Sequence, residues 1–387
     1  MPSDRSVRTI LERLVGFPTV SRDSNLELID WVEEYLDDLG VPAHRVWSAD
    51  RRKAQIYAHV GPEVEGGVVL SGHTDVVPVD GQDWSTDPWR LTEKAGRLYG
   101  RGTADMKGFD ALALAAMPRA LAAPLKRPLQ LALSYDEEVG CLAVCDMIDE
   151  MAQRLPRADA VIVGEPSMMQ VVTGHKGGTG YMVHVQGFEV HSSLLHRGVS
   201  AVMEAARLID WANRRNAASA AAQPAPAAAA FDPPWTTVHV GTIAGGTAGN
   251  ITAKDCRFSI EFRVVPGDRV DNWESAFEAE VARIEAEMQR LRPETRIVLE
   301  KHYALPPLEP EAEGVAEGLV RRLTGDNGTH VVSYGTEGGQ FQRRGFSTVI
   351  CGPGDIAQAH QPDEYITVAQ LEAGERFLDR LIDHLSE

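Results

Sequence analysis

Apolar side chains recur at helical spacing near the start of the chain. In residues 4–15 and 25–39 they fall three and four positions apart, and Gly40 and Pro42 follow the second run. This spacing places the apolar side chains on one helix face, and glycine or proline commonly follows the last turn. The pattern therefore predicts two amphipathic helices that pack one face against a core.

Short apolar runs then precede several polar motifs. The runs cover residues 67–72, 129–134, 158–163 and 347–351. Helical patterns lie between them at 107–123 and 141–154. Buried strands that alternate with helices are typical of α/β folds, whose sites lie at the carboxyl ends of parallel strands. We therefore predict an α/β domain with a mixed, largely parallel sheet flanked by helices.

A different pattern begins after residue 176. In chain order it predicts a strand at 179–186, a helix at 199–213, strands at 236–243 and 256–264, a helix at 273–290 and a strand at 296–302. This β-α-β-β-α-β order is that of the ferredoxin-like motif. Because the candidate ligand His360 lies beyond it, we predict an inserted domain at 177–303 within a discontinuous domain formed by residues 1–176 and 304–387.

Composition and charge restrict the partners. The chain has 387 residues, 43% of them hydrophobic, but no unbroken apolar segment that matches a signal peptide or a membrane span. A formal charge of -18 argues against nucleic acid and anionic membranes, because each would require a basic face. The cysteines are too few for a disulfide framework, and we predict reduced thiols at Cys141, Cys145, Cys256 and Cys351. We expect a globular cytoplasmic protein, with a loop in the alanine- and proline-rich tract at 216–230.

Five stretches of acidic residues and histidine supply candidate chemistry. They are GHTD at 72–75, Asp105, DEE at 136–138, GEP at 164–166 and AHQ at 359–361. Two histidines, a bridging aspartate and two glutamates would form a pair of carboxylate-rich metal sites, and a spare Glu137 would move the proton of a metal-bound water. The set predicts a metal-dependent hydrolase.

The spacing within the motifs assigns further roles. His73 and Asp75 lie two residues apart, so in an extended segment Asp75 can accept the second ring N–H of His73. Glu137 and Glu138 are adjacent at a strand end, so one can bind metal while the other faces the water. Each motif alone also fits a simpler explanation: a surface turn for His-x-Asp, a helix N-cap for Asp105 or a solvated acidic turn for DEE. The metal hypothesis therefore depends on the whole set.

The motifs resemble, in order and over nearly the whole chain, those of the di-zinc aminoacylase and carboxypeptidase family of metallopeptidases. The similar stretches are SGHTDVVPV at 71–79, GRGTADMKG at 100–108, DEEVG at 136–140 and GEPS at 164–167. The resemblance implies two zinc ions, for which cobalt or manganese can substitute at such ligands. The implied metal ligands are His73, Asp105, Glu138, Glu165 and His360. Asp75 would orient His73, and Glu137 would act as general base.

Two stretches are most similar to the acetylornithine deacetylases of this family: TGHKG at 173–177 and GPGDIAQAHQPDEY at 352–365. The glycine pair of TEGGQF at 336–341 is instead more similar to the desuccinylases and carboxypeptidases. The resemblance implies hydrolysis of an N-acyl amino acid. The first candidate substrate is N2-acetyl-L-ornithine, which would give acetate and L-ornithine in arginine biosynthesis. Alternatives are an aminoacylase, a succinyl-diaminopimelate desuccinylase, a glutamate carboxypeptidase or another peptidase, or a catalytically silent binding protein of the same fold.

The resemblance also implies roles for the inserted domain as a lid and as the contact of a homodimer. His191 resembles a lid histidine that donates to the scissile carbonyl across a dimer, and it would act as a catalytic oxyanion stabiliser. Asn250 and Arg263 match positions that bind the substrate carboxylate, although a turn and a sheet surface would also explain them. Candidate partners for a substrate ammonium are Glu337, Asp363 and Glu364.

Overall fold

A computed structural model describes residues 4–387, which fold into two compact units. Unit 1 comprises the chain up to Gly174, together with Leu308–Val331 and Thr336–Glu387. Unit 2 comprises His175–Pro307 and Val332–Gly335. The chain therefore leaves unit 1 after Gly174 and returns to it at Leu308, and the sequence predicts an inserted domain at 177–303.

Helices and strands cover most of both units. In chain order the helices are α1 (Val7–Val15), α2 (Leu26–Asp37), α3 (Lys107–Ala122), α4 (Val144–Arg154), α5 (Ala201–Ala221), α6 (Val270–Leu291), α7 (Val315–Thr324), α8 (Gly338–Arg343) and α9 (Val368–Leu385). The strands are β1 (Ala43–Trp47), β2 (Ala54–Val60), β3 (Gly67–His73), β4 (Thr92–Lys94), β5 (Arg97–Tyr99), β6 (Leu129–Ser134), β7 (Ala158–Pro166), β8 (Val172–His175), β9 (Gly177–Gln186), β10 (Thr237–Gly245), β11 (Asp255–Val264), β12 (Arg296–Leu305), β13 (His330–Val332), β14 (Thr348–Gly352) and β15 (Tyr365–Thr367). None of the helices within residues 4–387 combines the length and the apolar character needed to cross a membrane.

Both N-terminal helices form where the apolar spacing predicts them. Ser6 caps α1, since its side chain accepts a hydrogen bond from the backbone N–H of Thr9. The apolar face of α1 is buried in the core of unit 1 through Ile10, Leu11 and Leu14. Burial of this face, rather than helix propensity, holds so short a helix in place.

The large sheet of unit 1 has the strand order β1-β2-β6-β3-β7-β14-β8-β13. Its four central strands, β6, β3, β7 and β14, run parallel, whereas β1 and β2 at one side and β8 at the other pair antiparallel. The register pairs His73 with Ser134, so β3 and β6 end at the same level of the sheet. Gly352 similarly pairs with Pro166 at the ends of β14 and β7. The predicted α/β fold with a mixed sheet is confirmed, and its parallel strands end at one edge.

Unit 2 contains an antiparallel sheet of order β10-β11-β9-β12, with helices α5 and α6 in the same unit. Its core includes Val183 of β9, Phe258 of β11 and Phe277 of α6, each with no exposed surface. The element order and the strand order are those expected of the ferredoxin-like motif. This part of the fold prediction is also confirmed.

The predicted loop at 216–230 is wrong in its first part, because α5 continues to Ala221. Alanine has the highest helix propensity of all residues, so the repeated alanines extend the helix instead of ending it. The side chain of Asn216 exchanges two hydrogen bonds with the backbone of Val238 on β10, with distances of 2.7 and 2.8 Å, and thereby ties the added turns to the sheet. The helix ends before Pro224, as expected from the restricted backbone that precedes proline.

Close packing at Gly164 gives a prediction about stability. A Cβ atom added to Gly164 would lie 1.9 Å from Cγ of the Phe109 ring, which is buried on α3. We expect Gly164→Ala to lower the free energy of unfolding by about 1–3 kcal/mol, because the ring has to move out of a packed core. Urea denaturation of the metal-free proteins measures this effect without a contribution from bound ions.

Gly318→Ala is the matched control, since Gly318 lies inside α7 and an added Cβ would meet its nearest atom at 3.6 Å. We expect this variant to equal or exceed the stability of the wild type, because alanine favours helix. A further Phe109→Leu substitution should recover part of the loss in Gly164→Ala. Equal stability of Gly164→Ala and the wild type would show that the ring is not tightly held.

Candidate metal centre

The predicted ligands meet at the edge of unit 1 where the parallel strands end. His73 is the last residue of β3, Glu165 lies near the end of β7, and residues 136–138 directly follow β6. Asp105 precedes α3, and His360 lies in the loop after β14. The topology thus brings distant segments of the chain to one place, as expected for a sheet whose central strands are parallel.

Asp105 lies between the two histidines. Its Oδ1 atom is 3.1 Å from Nε2 of His73, and its Oδ2 atom is 3.3 Å from Nε2 of His360. His360 Nε2 is also 3.0 Å from Glu138 Oε2, and His73 Nε2 is 3.6 Å from Glu165 Oε1. Each half of the cluster therefore has one imidazole and one glutamate, and the two halves share the Asp105 carboxylate.

These separations fit metal ions. Two ligand atoms about 2.1 Å from a tetrahedral zinc ion lie about 3.4 Å from each other, which is within the observed range of separations. Potential ligand atoms of His73, Glu137 and Glu165, and likewise those of His73, Asp105 and Glu138, lie within 4.8 Å of one another. Oε1 of Glu138 is buried and has no hydrogen-bond partner among the described residues. A cation beside it would supply the missing partner.

The charges of the cluster also fit bound metal ions. Burial raises the pKa of Glu138 to about 7, and the negative charge of Asp105 adds to this effect. Burial also raises the pKa of Glu165 well above its ordinary value, with further contributions from Asp105 and Glu137. Two histidines cannot neutralise so many buried carboxylates, whereas two divalent cations would stabilise their ionised forms.

Asp75 is placed differently from the simple His-x-Asp prediction. Nδ1 of His73 is 2.9 Å from the backbone oxygen of Asp75 and 3.5 Å from its Oδ1 atom. The carboxylate instead accepts hydrogen bonds from Oγ of Ser21 at 2.6 Å and from the backbone N–H groups of Glu137 and Glu138 at 3.2 and 3.4 Å. Asp75 therefore holds both the His73 ring and the turn that carries the two glutamates. No local motif indicated the contact with Ser21.

Glu137 faces the same cluster but has different neighbours. Its Oε1 atom accepts a hydrogen bond from the Cys141 thiol, with an Sγ–Oε1 distance of 3.1 Å. The ion-pair distances within residues 4–387 connect each histidine of the cluster to other carboxylates and not to Glu137. Glu137 is therefore the acid of the cluster whose hydrogen bond goes to a thiol and not to a histidine ring. The sequence indicated Glu137 but not its thiol partner.

The three candidate partners for a substrate ammonium lie in different surroundings. Glu337 is buried in unit 1, where it accepts hydrogen bonds from Ser71 at 3.0 Å and from Ser134, and burial raises its pKa to about 7. Asp363 accepts a hydrogen bond from the backbone N–H of Ser85 at 2.8 Å. Glu364 already has a cationic partner in the chain, since it forms a buried ion pair of 2.6 Å with Arg101.

The remaining predicted site residues belong to unit 2. Nδ1 of His191 is 2.8 Å from the Ser193 hydroxyl, and a β-bridge joins His191 to Ile251, next to Asn250. Arg263 lies on β11, where its half-exposed side chain is 3.4 Å from Glu261. The roles of His191, Asn250 and Arg263 toward a substrate stay predictions.

Known proteins resemble this chain in sequence and in fold. The model of peptidase family M20/M25/M40 matches residues 69–384. The chain is 35% identical over 391 residues to an acetylornithine deacetylase from Myxococcus xanthus, a match that covers 98% of this chain and 97% of the relative. Two solved structures share the fold at lower identity.

The first is an M20 family metallo-carboxypeptidase, Sso-CP2, from Sulfolobus solfataricus, with a TM-score of 0.79 and 18% identity over 98% of this chain and 99% of the other. The second is YXEP from Bacillus subtilis, described as a dinuclear metal binding peptidase from the M20 family. Its TM-score is 0.64 and its identity 13%, over 98% of this chain and 97% of the other. At these identities the similarity shows the fold alone.

Proposed function

Because this chain belongs to peptidase family M20/M25/M40, and is therefore an amidohydrolase, we propose that it hydrolyses the amide bond of N2-acetyl-L-ornithine to acetate and L-ornithine. The main observation in support of this reaction is the position of Asp105. One of its carboxylate oxygens faces His73 and the other faces His360, and each histidine also faces a glutamate. The match with an acetylornithine deacetylase over nearly the full length of both chains supports the substrate and a place in arginine biosynthesis.

We propose that the cluster holds two divalent cations, with zinc as the first candidate and cobalt or manganese as substitutes. His73 and Glu165 would bind one ion, Glu138 and His360 the other, and Asp105 both. A dinuclear metal binding peptidase of the same family has this fold, which supports the count of two ions. Ions bound there would polarise the acyl carbonyl and lower the pKa of a bound water.

The protein groups then have separate tasks. Glu137 takes a proton from the attacking water and delivers it to the nitrogen of the leaving amine. The same carboxylate therefore acts first as a base and then as an acid, and it ends the reaction in its starting form. Asp75 keeps the ring of His73 and the backbone of residues 137 and 138 in position. Desolvation and the neighbouring charges of Glu138 and Asp105 raise the pKa of Glu137 well above its ordinary value, which suits a group that must accept a proton and return it.

Other roles rest on the family resemblance. We propose that His191 donates a hydrogen bond to the oxyanion of the transition state, and that Asn250 and Arg263 bind the substrate carboxylate. The homodimer through unit 2 and the cytoplasmic location are proposed on the same ground. The expected partners are therefore a small N-acyl amino acid and a second copy of the chain.

Glu337 is our candidate for recognition of the ornithine side chain. It is buried, its pKa is raised to about 7, and no ion pair within residues 4–387 involves it, so a substrate ammonium would stabilise its ionised form. We expect Glu337→Gln to reduce kcat/KM for acetylornithine about ten- to a hundredfold, the range typical of a hydrogen bond to a charged group. Acetylmethionine, which lacks the ammonium, should be hydrolysed with nearly unchanged kcat/KM.

The comparison of the two substrates distinguishes binding of the substrate ammonium by Glu337 from a structural role of Glu337. An equal loss on both would mean that Glu337 supports Ser71 and Ser134 at the strand ends instead of binding the substrate. An unchanged preference for acetylornithine would exclude Glu337 as the ammonium partner.

A substrate panel tests the proposed function directly. Acetylornithine, acetylmethionine, succinyl-diaminopimelate and a simple dipeptide are each incubated with metal-free protein and with protein that has received zinc or cobalt. We expect metal-dependent release of the free amine from each hydrolysed compound, with the highest kcat/KM for acetylornithine. A higher value for another compound would reassign the substrate within the family. Absence of turnover on every compound despite bound metal would instead indicate a binding protein of this fold.

A further inference from the structure

Gln82 lies outside every metal motif, yet its side chain connects two loops that carry ligands. Its Nε2 group donates a hydrogen bond of 2.9 Å to the backbone oxygen of His360. Its Oε1 atom accepts hydrogen bonds from Nη2 of Arg101 at 2.6 Å and from the indole N–H of Trp84 at 3.0 Å. Both ends of the Gln82 amide are therefore fixed.

Arg101 continues this connection toward the bridging carboxylate. Its guanidinium group is buried and donates to Oε2 of Glu364 at 2.6 Å. The other oxygen of Glu364 accepts hydrogen bonds from the backbone N–H groups of Ala104 and Asp105, at 2.9 and 3.2 Å. A continuous series of hydrogen bonds therefore runs from the peptide group of Asp105 through Glu364, Arg101 and Gln82.

His360 is the candidate ligand that most needs such support. Its side chain is 53% exposed, whereas the side chains of Asp105 and Glu138 that face it are 7% and 6% exposed. Its backbone has a φ of +63°, in the left-handed region that residues with a Cβ atom rarely adopt. Because little packing surrounds the imidazole, its position is set mainly by how the backbone of its loop is anchored.

We propose that Gln82 is a positioning residue for the metal ion between His360 and Glu138, an inference that rests on the proposed function for the presence of that ion. By holding the backbone oxygen of His360, Gln82 keeps Nε2 of the ring 3.3 Å from Asp105 and 3.0 Å from Glu138. Loss of this hydrogen bond weakens one metal site and leaves the site of His73 and Glu165 intact.

The experiment follows Co²⁺ binding to the metal-free protein by isothermal titration calorimetry and by visible absorption. For the wild type we expect two ions per chain. In Gln82→Leu the first ion should bind with unchanged affinity and the second at least about tenfold more weakly, the loss typical of groups that orient a metal ligand. Because the proposed role of Gln82 acts through the position of His360, kcat at saturating Co²⁺ should return to within about twofold of the wild type.

Two further variants sharpen the result. Gln82→Glu keeps an oxygen acceptor for Arg101 but removes the donor to His360, so it should show the same selective loss. Asp83→Ala, at an exposed neighbour in the same loop, should bind both ions as the wild type does. Full rescue by Gln82→Glu would overturn the proposal, because the contact with Arg101 would then be the one that matters.

Three other outcomes overturn the inference as well: unchanged affinity for the second ion in Gln82→Leu, equal weakening of both ions, or a wild-type protein that binds only one ion. Failure of the proposed function gives a different result. A wild type that binds two ions but hydrolyses none of the panel compounds would refute the proposed reaction, while the Co²⁺ titration of the Gln82 variants would still decide the positioning role.

Discussion

Replacing Glu137 with glutamine is expected to reduce kcat by at least about a hundredfold while the protein keeps two metal ions. Glutamine has nearly the same volume and can still accept the Cys141 thiol hydrogen bond, but its amide cannot take a proton from water. The two histidines of the cluster lie at ion-pair distance from Asp105, Glu138 and Glu165, and in the proposed assignment these five residues hold the ions without Glu137.

Metal content by mass spectrometry and kcat for acetylornithine, measured on the same preparation, check this prediction. Glu138→Gln is the matched comparison, because it alters the adjacent glutamate that faces His360 and should lose metal together with activity. If Glu137→Gln also lost metal, Glu137 would be a ligand and not the base, a role that its distance to His73 and Glu165 permits.

Asp105→Asn is expected to have the other large effect, a loss of at least about a thousandfold in kcat/KM together with at least one of the two ions. The aspartate presents one oxygen to His73 and the other to His360. An asparagine of the same shape has one oxygen and one NH₂ group, and the NH₂ group cannot bind a cation. The side that receives the NH₂ group therefore loses a ligand.

Asp110→Asn is the control for this variant. Asp110 is also a buried aspartate of the same region, and neither of its oxygens has a hydrogen-bond partner among the described residues. Burial raises the pKa of the Asp110 carboxyl well above the ordinary value, and asparagine supplies a neutral side chain of the same shape, the form that burial favours. This variant should keep both ions and most of the activity. Retention of two ions by Asp105→Asn would exclude a bridging role.

The metal cluster could be predicted from the sequence because its signals are local. His73, Glu138 and Glu165 each follow or end an apolar run, and parallel strands bring such positions together regardless of the details of the loops. The β-α-β-β-α-β order of unit 2 could be predicted for a similar reason, since alternation and helical spacing are both readable over a few residues. The fold class therefore followed from patterns within single elements.

The contacts around the cluster could not be predicted in this way. Arg101 and Glu364 lie inside two of the motifs, but Gln82 lies outside them, and no pattern in the sequence indicated that the three residues form one series of hydrogen bonds. The sequence predicts that the Asp75 carboxylate accepts the second ring N–H of His73. In the structure the backbone oxygen of Asp75 lies nearer to Nδ1 of His73 than the carboxylate does. At 216–221 the low complexity of the sequence led to the prediction of a loop. The high helix propensity of alanine instead continues α5 through these residues.

The place of β14 in the large sheet has a consequence for how the protein is made. β14 pairs with β7 and β8, yet the ribosome synthesises it only after the whole of unit 2. Until then one edge of β7 has no partner strand in the nascent chain. An unpaired edge with apolar residues can pair with other chains, which promotes aggregation. The cluster of candidate metal ligands has to wait even longer, because His360 follows β14 in the chain. A chain released before residue 348 would therefore lack both β14 and His360, and neither the large sheet nor the ligand cluster could be completed.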